Sequence, residues 1–455
     1  MEPANDSPTS QHSDILIVGS GVFGTSTAYH LSQSHASLRV TVLDRAPAPS
    51  PWAASSDINK IVRADYSVPF YMDLAYEAMQ YWTDSPLMSR FFHQTGWVAL
   101  DEKDSDLSTR IRKNFRESGR ADASADITLD EVKTRWDGVL AGIDTTGYDK
   151  AYTNSSAGWA DASSAVEAMM AGAVQAGVHY EVGEAVELVA DVDRRRLSGV
   201  RTADGRFFTG DRILLATGAW TPWLMSPLEK ALHIPEEDSI HRQIQAAGVC
   251  VAAFQLSEAE AEHYSCMPVL IYGSKGEVMP PTAATTTTTA NDDDKAQGER
   301  FFFFKFTNSN TFLNTTLHPD TGQLISVPAP DQRAVPSALR SESIDVIRRR
   351  VPAILHNGRV PDDWRICWDA VSPDQNQLIT RHPVSTLSNL FLATAGSFHS
   401  WKFLPNIGRY VVNVLDGKSN GPIKDEAWAW KRTWAGRGAH EKVLPKREFA
   451  DISKP

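Results

Sequence analysis

Gly19, Gly21 and Gly24 fall in the spacing G-x-G-x-x-G within "VGSGVFG", and Asp44 follows twenty residues after the last of them. That pattern suits a dinucleotide. The first glycine permits a tight turn, the second lets a pyrophosphate approach the backbone, the third lets a helix pack on a strand, and the acid bonds a ribose hydroxyl. Val22 and Phe23 complete the candidate phosphate turn. Four other places carry groups able to do chemistry. Cys367 lies in "ICWDAVSPDQN", Lys305 interrupts the apolar run "RFFFFKFTN", Lys402 sits in "HSWKFLPNIG", and Lys60 and Arg63 share "NKIVR". Taken alone, each has an ordinary reading. Cys367 could be a small core residue or a free thiol, Lys305 could snorkel at a strand edge, and Lys60 and Arg63 could form a solvated basic turn.

The elements that must position these groups follow from periodicity. Ile15 to Val18 predict a short buried strand, Val22 to Leu31 a helix, and Leu38 to Leu43 a second strand ending at Asp44, which together make a βαβ unit. A helix is expected from about Asp161 to Ala176, stopped by Gly177, and then a meander through "AVELVA", "LSGVRT" and "GRFFTGDRILLATGAW". Both NAD and FAD use the glycine fingerprint, but a meander inserted between its strands suits a flavoprotein better. "RFFFFKFTN" reads as a strand, and "NLFLATAGSFHSWKFLPNIGRYVVNVLDG" as a strand, a turn at Gly396 and a helix from about Pro405 to Leu415. That returning turn could set backbone N–H groups against a flavin.

At 455 residues the chain can bury a sizeable core in two domains. The expected division is a disordered tail over 1–12, a FAD-binding domain from 13–68, 155–239 and 365–425, a substrate domain from 69–154 and 240–364 with a disordered insertion at 282–299, and a C-terminal tail over 426–455. A net charge of -11, without clustered Lys and Arg, argues against a nucleic-acid partner. No apolar run is long enough for a membrane span. Cys250, Cys266 and Cys367 have neither metal-ligand spacing nor an even count, so no metal site or disulfide framework is expected. The chain ends Ser453-Lys454-Pro455 rather than Ser-Lys-Leu, which leaves a cytoplasmic location as the expectation over a peroxisomal one.

Four blocks, "VGSGVFG", "SSDINKIVRADY", "ICWDAVSPDQNQLITRHP" and "HSWKFLPNIG", occur in an order that resembles the monomeric sarcosine oxidase family of covalent-flavin amine oxidases. The likeness extends to fructosyl amino acid oxidases and to their saccharopine-oxidase-like and N-methyl amino acid oxidase relatives. It implies an α/β (α+β mixed) fold, a Rossmann-like FAD-binding domain with a discontinuous sheet-based substrate domain, as in glucose-methanol-choline and D-amino acid oxidase-like flavoproteins. It implies FAD, bound covalently as an 8α-S-cysteinyl thioether through Cys367. Lys60 is then beside the flavin, Arg63 and Lys402 hold the substrate carboxylate, Lys402 also lies near the flavin, and Lys305 activates oxygen on the flavin's other face. Asn59, Val186 and Phe398 are further expected cofactor contacts. The implied partners are a small amine or amino acid and O2, the implied state a monomer.

The implied reaction is oxidation of a secondary amine or N-substituted amino acid, with hydrogen peroxide as the second product and an imine that is hydrolysed or trapped, as in secondary metabolism. Two departures bear on the substrate. Ser309 stands where fructosyl amino acid oxidases carry a glutamate, four residues after the lysine, and Phe398 replaces a glycine before His399. Both point away from a fructosyl substrate and toward an N-methylated, saccharopine-like or aromatic one. The alternatives are a deglycating fructosyl oxidase, an NAD-dependent dehydrogenase and a flavin-binding protein without turnover.

Overall fold

The computed structural model describes residues 11–120, 122–273, 275–284, 301–434 and 444–453. Two eight-stranded sheets carry the architecture. In the first, Gln11–Val18 lies between Val40–Asp44 and Phe207–Leu215 and runs parallel to both. After its first residues this strand is buried almost continuously, as a parallel strand covered on both faces must be. His179–Val182 extends the sheet beyond Val40–Asp44, and Leu390–Thr394 pairs in parallel with Phe207–Leu215. The meander Ala185–Asp191 and Arg196–Thr202 leads antiparallel into Phe207–Leu215.

Helix Val22–Ser34 links the first two strands, and Ala162–Gln175 and Ile407–Leu415 pack beside it. The glycine spacing is explained by contact. Gly19 has φ +102°, and a Cβ on Gly24 would lie 1.8 Å from the Gly19 carbonyl oxygen, so helix and turn could not approach with a side chain there.

The second sheet is ordered Asp363–Val371, Gln245–Leu256, Phe301–Leu313, Gly276–Ala284, Val269–Tyr272, Trp97–Glu102, Tyr148–Asn154 and Ser124–Ile127. All neighbours are antiparallel except Val269–Tyr272 and Trp97–Glu102. The mixed α/β fold is as expected, and several boundaries move. The strand Asp363–Val371, which carries Cys367, is expected in the nucleotide domain but hydrogen-bonds along Gln245–Leu256 as the edge of the second sheet. Helix Pro69–Asp84 buries Met72, Leu74 and Ala75 in a core shared with Ile15, Ile17 and Phe403, so that core crosses the boundary expected at 69.

Gln11 and His12 belong to a strand rather than to a tail, paired with Phe208 and Thr209; residues 1–10 lie outside the described ones. Thr282 and Ala283 pair with Phe303 and Phe302, so the expected insertion begins no earlier than residue 285, where description stops. Some described parts of 426–455 are packed against the body of the protein. Trp428 is buried, Lys431 pairs with Asp374 at 2.5 Å, and Phe449 stacks on Phe312. The last long helix starts at Ile407, and Pro405 lies in the turn before it. Among the described residues no helix is long and apolar enough to cross a membrane.

Candidate active site

Side chains alternate along a strand, so residues two apart share a face. Lys305, Thr307 and Ser309 therefore point together from Phe301–Leu313. The register sets Glu277 opposite Thr307 on one side, Val251 opposite Thr307 on the other, and Cys367 opposite Val249 one strand further. This face walls a cavity of about 230 Å³, which Lys60, Arg63, Lys402 and Phe398 close from the other side. A second cavity of about 640 Å³ is lined by Gly19, Gly21, Val22, Phe23, Asp44 and Val186. The two adjoin, sharing Val22, Ala54, Ser55, Asp369 and Gly396 in their walls, and the larger forms a channel.

The channel fits an extended dinucleotide. A Cβ on Gly21 would find only Ser55 Oγ, 3.6 Å away, so the glycine opens the wall there. No side chain caps the N-terminus of Val22–Ser34, whose first residues line the cavity, leaving first-turn N–H groups for a pyrophosphate. Asp44 is held at the channel wall by Ser20, whose N and Oγ donate to Oδ2 at 2.7 and 3.0 Å. The expected nucleotide contacts Gly19, Gly21, Val22, Phe23, Asp44 and Val186 all line this channel, whereas Gly24 acts through packing.

Charge in the smaller cavity is organised by a residue the sequence did not single out. Asp57 Oδ2 accepts from Lys305 Nζ at 2.8 Å and from Lys60 Nζ at 2.9 Å, and Lys305 also donates to the Asn59 carbonyl at 2.8 Å. Burial pushes the Asp57 carboxyl up, but Lys305, Lys60 and Arg365 outweigh it and hold the group well below the usual carboxylate range. Burial likewise opposes the charge of Lys60, yet Asp57 keeps its ammonium above the ordinary lysine value. Two fixed cations thus face the cavity through one anion. Lys60 is also within electrostatic reach of the Cys367 sulfur.

Arg63 and Lys402 form a second pair. The Arg63 guanidinium lies 4.7 Å from the Trp97 ring centre and 4.8 Å from that of Tyr66, and it donates to the Asp65 carbonyl. Lys402 Nζ donates to Tyr66 Oη at 3.0 Å and to the His399 carbonyl at 2.6 Å. Burial first, and the nearby Arg63 charge second, push Lys402 well below its ordinary value. Burial and Lys402 also push His399 down to about 3. His399 is therefore neutral at neutral pH, and its Nε2 faces the Gln375 carbonyl at 2.8 Å, so that nitrogen donates. Helix Pro69–Asp84 steadies the loop from below, Trp82 Nε1 donating to the Lys402 carbonyl at 2.8 Å.

The turn after Leu390–Thr394 brings Ala395, Ser397 and Phe398 to φ values of +63, +49 and +62°. Left-handed backbone costs about 1 kcal/mol at each non-glycine residue, and something must hold it. Asp369 does so in part, accepting from the Phe398 amide at 2.7 Å, while burial pushes its carboxyl up. Phe398 packs on the small cluster of Val249, Val251 and Cys367. The amides of Ser397, His399 and Ser400 bond within the protein, to Ala370 and Gly396, so they do not offer the open N–H row the sequence pattern allowed.

Of the expected site residues, Asn59 departs. Its side chain lines neither cavity and donates to Thr282 Oγ1 at 2.6 Å, and only its carbonyl takes part, under Lys305. Lys60, Arg63, Lys305, Cys367, Phe398 and Lys402 converge on the smaller cavity. Asp57, Tyr66, Glu277, Asp369 and His399 were not foreseen. Only Asp57 left a local signal, an acid three positions before Lys60.

Residues 14–414 match the family described as FAD dependent oxidoreductase (DAO). An L-saccharopine oxidase of Schizosaccharomyces pombe is 27% identical over 436 residues, covering 92% of this chain and 93% of that protein. An amino acid oxidase of Aspergillus flavus is 26% identical over 505 residues, covering 94% and 99%. The solved structure of a modified fructosyl peptide oxidase from Aspergillus nidulans superposes with a TM-score of 0.78 at 26% identity, over 96% of this chain and 98% of that one.

Proposed function

Given that this chain belongs to the FAD dependent oxidoreductase (DAO) family and is an FAD-dependent oxidase of amino acids or amines, we propose that its substrate is an N-substituted amino acid, N-methylated or saccharopine-like. The observation that carries this reading is the convergence of Arg63, Lys402 and Lys305 on one cavity with Cys367, beside the channel of Gly21 and Asp44. The family match removes the NAD-dependent alternative.

FAD bound along the channel would accept hydride from the carbon next to the substrate nitrogen and return the electrons to O2 as hydrogen peroxide. Gly21 and the first turn of Val22–Ser34 would hold its pyrophosphate, Asp44 its ribose, and Cys367 Sγ its 8α carbon as a thioether. Arg63 and Lys402 bind the substrate carboxylate, the first as a planar fork and the second as a point charge. Arg63 and Lys402 make their side of the cavity a poor place for a protonated secondary amine, which favours the neutral amine that hydride loss requires. Lys305, anchored by Asp57, supplies fixed positive charge where electrons reach oxygen. Tyr66 and neutral His399 keep the Lys402 ammonium aimed into the cavity.

Hydrogen peroxide release by the flavin-loaded protein, measured over N-methyl amino acids, saccharopine and fructosyl amino acids, tests the proposal. N-methyl amino acids or saccharopine should be turned over at least tenfold more efficiently than fructosyl amino acids, which find Ser309 where the deglycating relatives have a carboxylate. Turnover of the fructosyl compounds alone would replace this reading with the deglycating one.

A further inference from the structure

Four carboxylates line the smaller cavity: Asp57, Asp101, Glu277 and Asp369. Three of them are committed to the protein. Asp57 binds Lys60 and Lys305, Asp101 accepts from Ser108 N and Oγ at 3.0 and 2.7 Å, and Asp369 accepts from the amides of Ala370 and Phe398. Glu277 differs. Its one hydrogen bond among the described residues comes from Thr307 Oγ1 at 3.2 Å, and it forms no ion pair there. Its carboxylate is half-buried, on the sheet face that also presents Lys305 and Ser309, and it is felt electrostatically by both Lys60 and Lys402. A carboxylate with spare acceptor capacity in a partly desolvated cavity is best satisfied by a cation or a strong N–H donor. The cavity therefore has a cationic side, Arg63 with Lys402, and an anionic point, Glu277.

From this geometry we propose that Glu277 is a specificity-determining residue that receives a second, protonated nitrogen of the substrate. The inference rests on the substrate reading above and narrows it, to an N-substituted amino acid that carries an ammonium group in addition to its reacting amine. The α-carboxylate sits at Arg63 and Lys402 while the distant ammonium takes the open oxygen of Glu277. A carboxylate reaches the cavity here from the strand next to the one bearing Ser309, so the loss of an acid at that position does not leave the cavity without one.

Two probes separate the possibilities: racemic N-methyllysine, and racemic N-methyl-2-aminoheptanoic acid, in which a methyl group replaces the side-chain ammonium. Binding to the flavin-loaded protein is measured by titration calorimetry, and turnover by peroxide release, for the parent and for Glu277→Gln. The parent should bind the lysine derivative about ten- to a hundredfold more tightly, the range of a charge-assisted hydrogen bond. Glu277→Gln should abolish that preference by weakening the lysine derivative alone, leaving the heptanoic compound within about twofold. Equal binding of the two probes by the parent, or an equal loss of both in Glu277→Gln, overturns the role given to Glu277 while leaving the N-substituted amino acid reading in place. Absence of both binding and turnover with either probe removes that reading and this inference together.

Discussion

Replacement of Lys305 by methionine should slow the reaction of the substrate-reduced enzyme with oxygen by about a hundred- to a thousandfold, the size of effect seen when a single preorganised donor is taken from a developing anion. Anaerobic reduction by substrate should stay within a few-fold of the parent. The reasoning rests on position. Lys305 is buried at 1% exposure and held by Asp57 and the Asn59 carbonyl, so its charge does not have to be reoriented when electrons reach oxygen. Methionine keeps the volume and removes the charge. The fold should survive the change because Asp57 retains Lys60 at 2.9 Å and is not left as an unpaired buried anion. Stopped-flow absorbance separates the two half-reactions. Equal slowing of both would assign Lys305 to general structure instead of oxygen chemistry.

The second large effect is expected at the carboxylate clamp. Arg63→Met should lower kcat/KM by about a hundredfold or more, chiefly through KM, since it removes one partner of a desolvated charge pair. A pH signature accompanies it. Lys402 binds a carboxylate only when protonated, and burial with the Arg63 charge depresses its proton affinity in the free enzyme. KM should therefore rise as pH increases, with the break below the ordinary lysine range. Burial, Arg63 and Lys60 all contribute to that depression, and Arg63→Met removes the larger of the two charges, so the break should move to higher pH in the variant. A break that stays in place or moves down would contradict the coupling between Arg63 and Lys402.

The parts of this site that were legible in the sequence are those encoded locally. Gly19, Gly21, Gly24 and Asp44 are fixed by one βαβ unit, where the turn, the helix N-terminus and the strand end follow from spacing alone. Lys305 was visible as a charge in an apolar strand, although periodicity could not say whether it reached water. Asp57 could not be assigned because its partner Lys305 is 248 residues away, and nothing near Asp57 announces that contact. Glu277 depended on the cross-strand register with Thr307, which no sequence pattern supplies. The pairing of the Cys367 strand was hidden for a related reason. An edge strand of β-branched and aromatic residues reads alike in either sheet, and only its pairing with Gln245–Leu256 decides. The Asn59 side chain turns to Thr282 and its carbonyl to Lys305, a division that no sequence pattern supplies. Phe398 shows the converse, a departure from glycine visible in sequence whose meaning, a left-handed residue clamped by Asp369 against the Cys367 cluster, needed the fold.

The proposed attachment of a flavin in the channel to Cys367 can be tested without any knowledge of the substrate. The direct measurement is to denature the purified parent protein and a Cys367→Ser variant in acid, precipitate the polypeptide, and record flavin absorbance in pellet and supernatant. The yellow colour should stay with the parent polypeptide and appear in the supernatant for the variant. Colour released from the parent, or retained by Cys367→Ser, would contradict it.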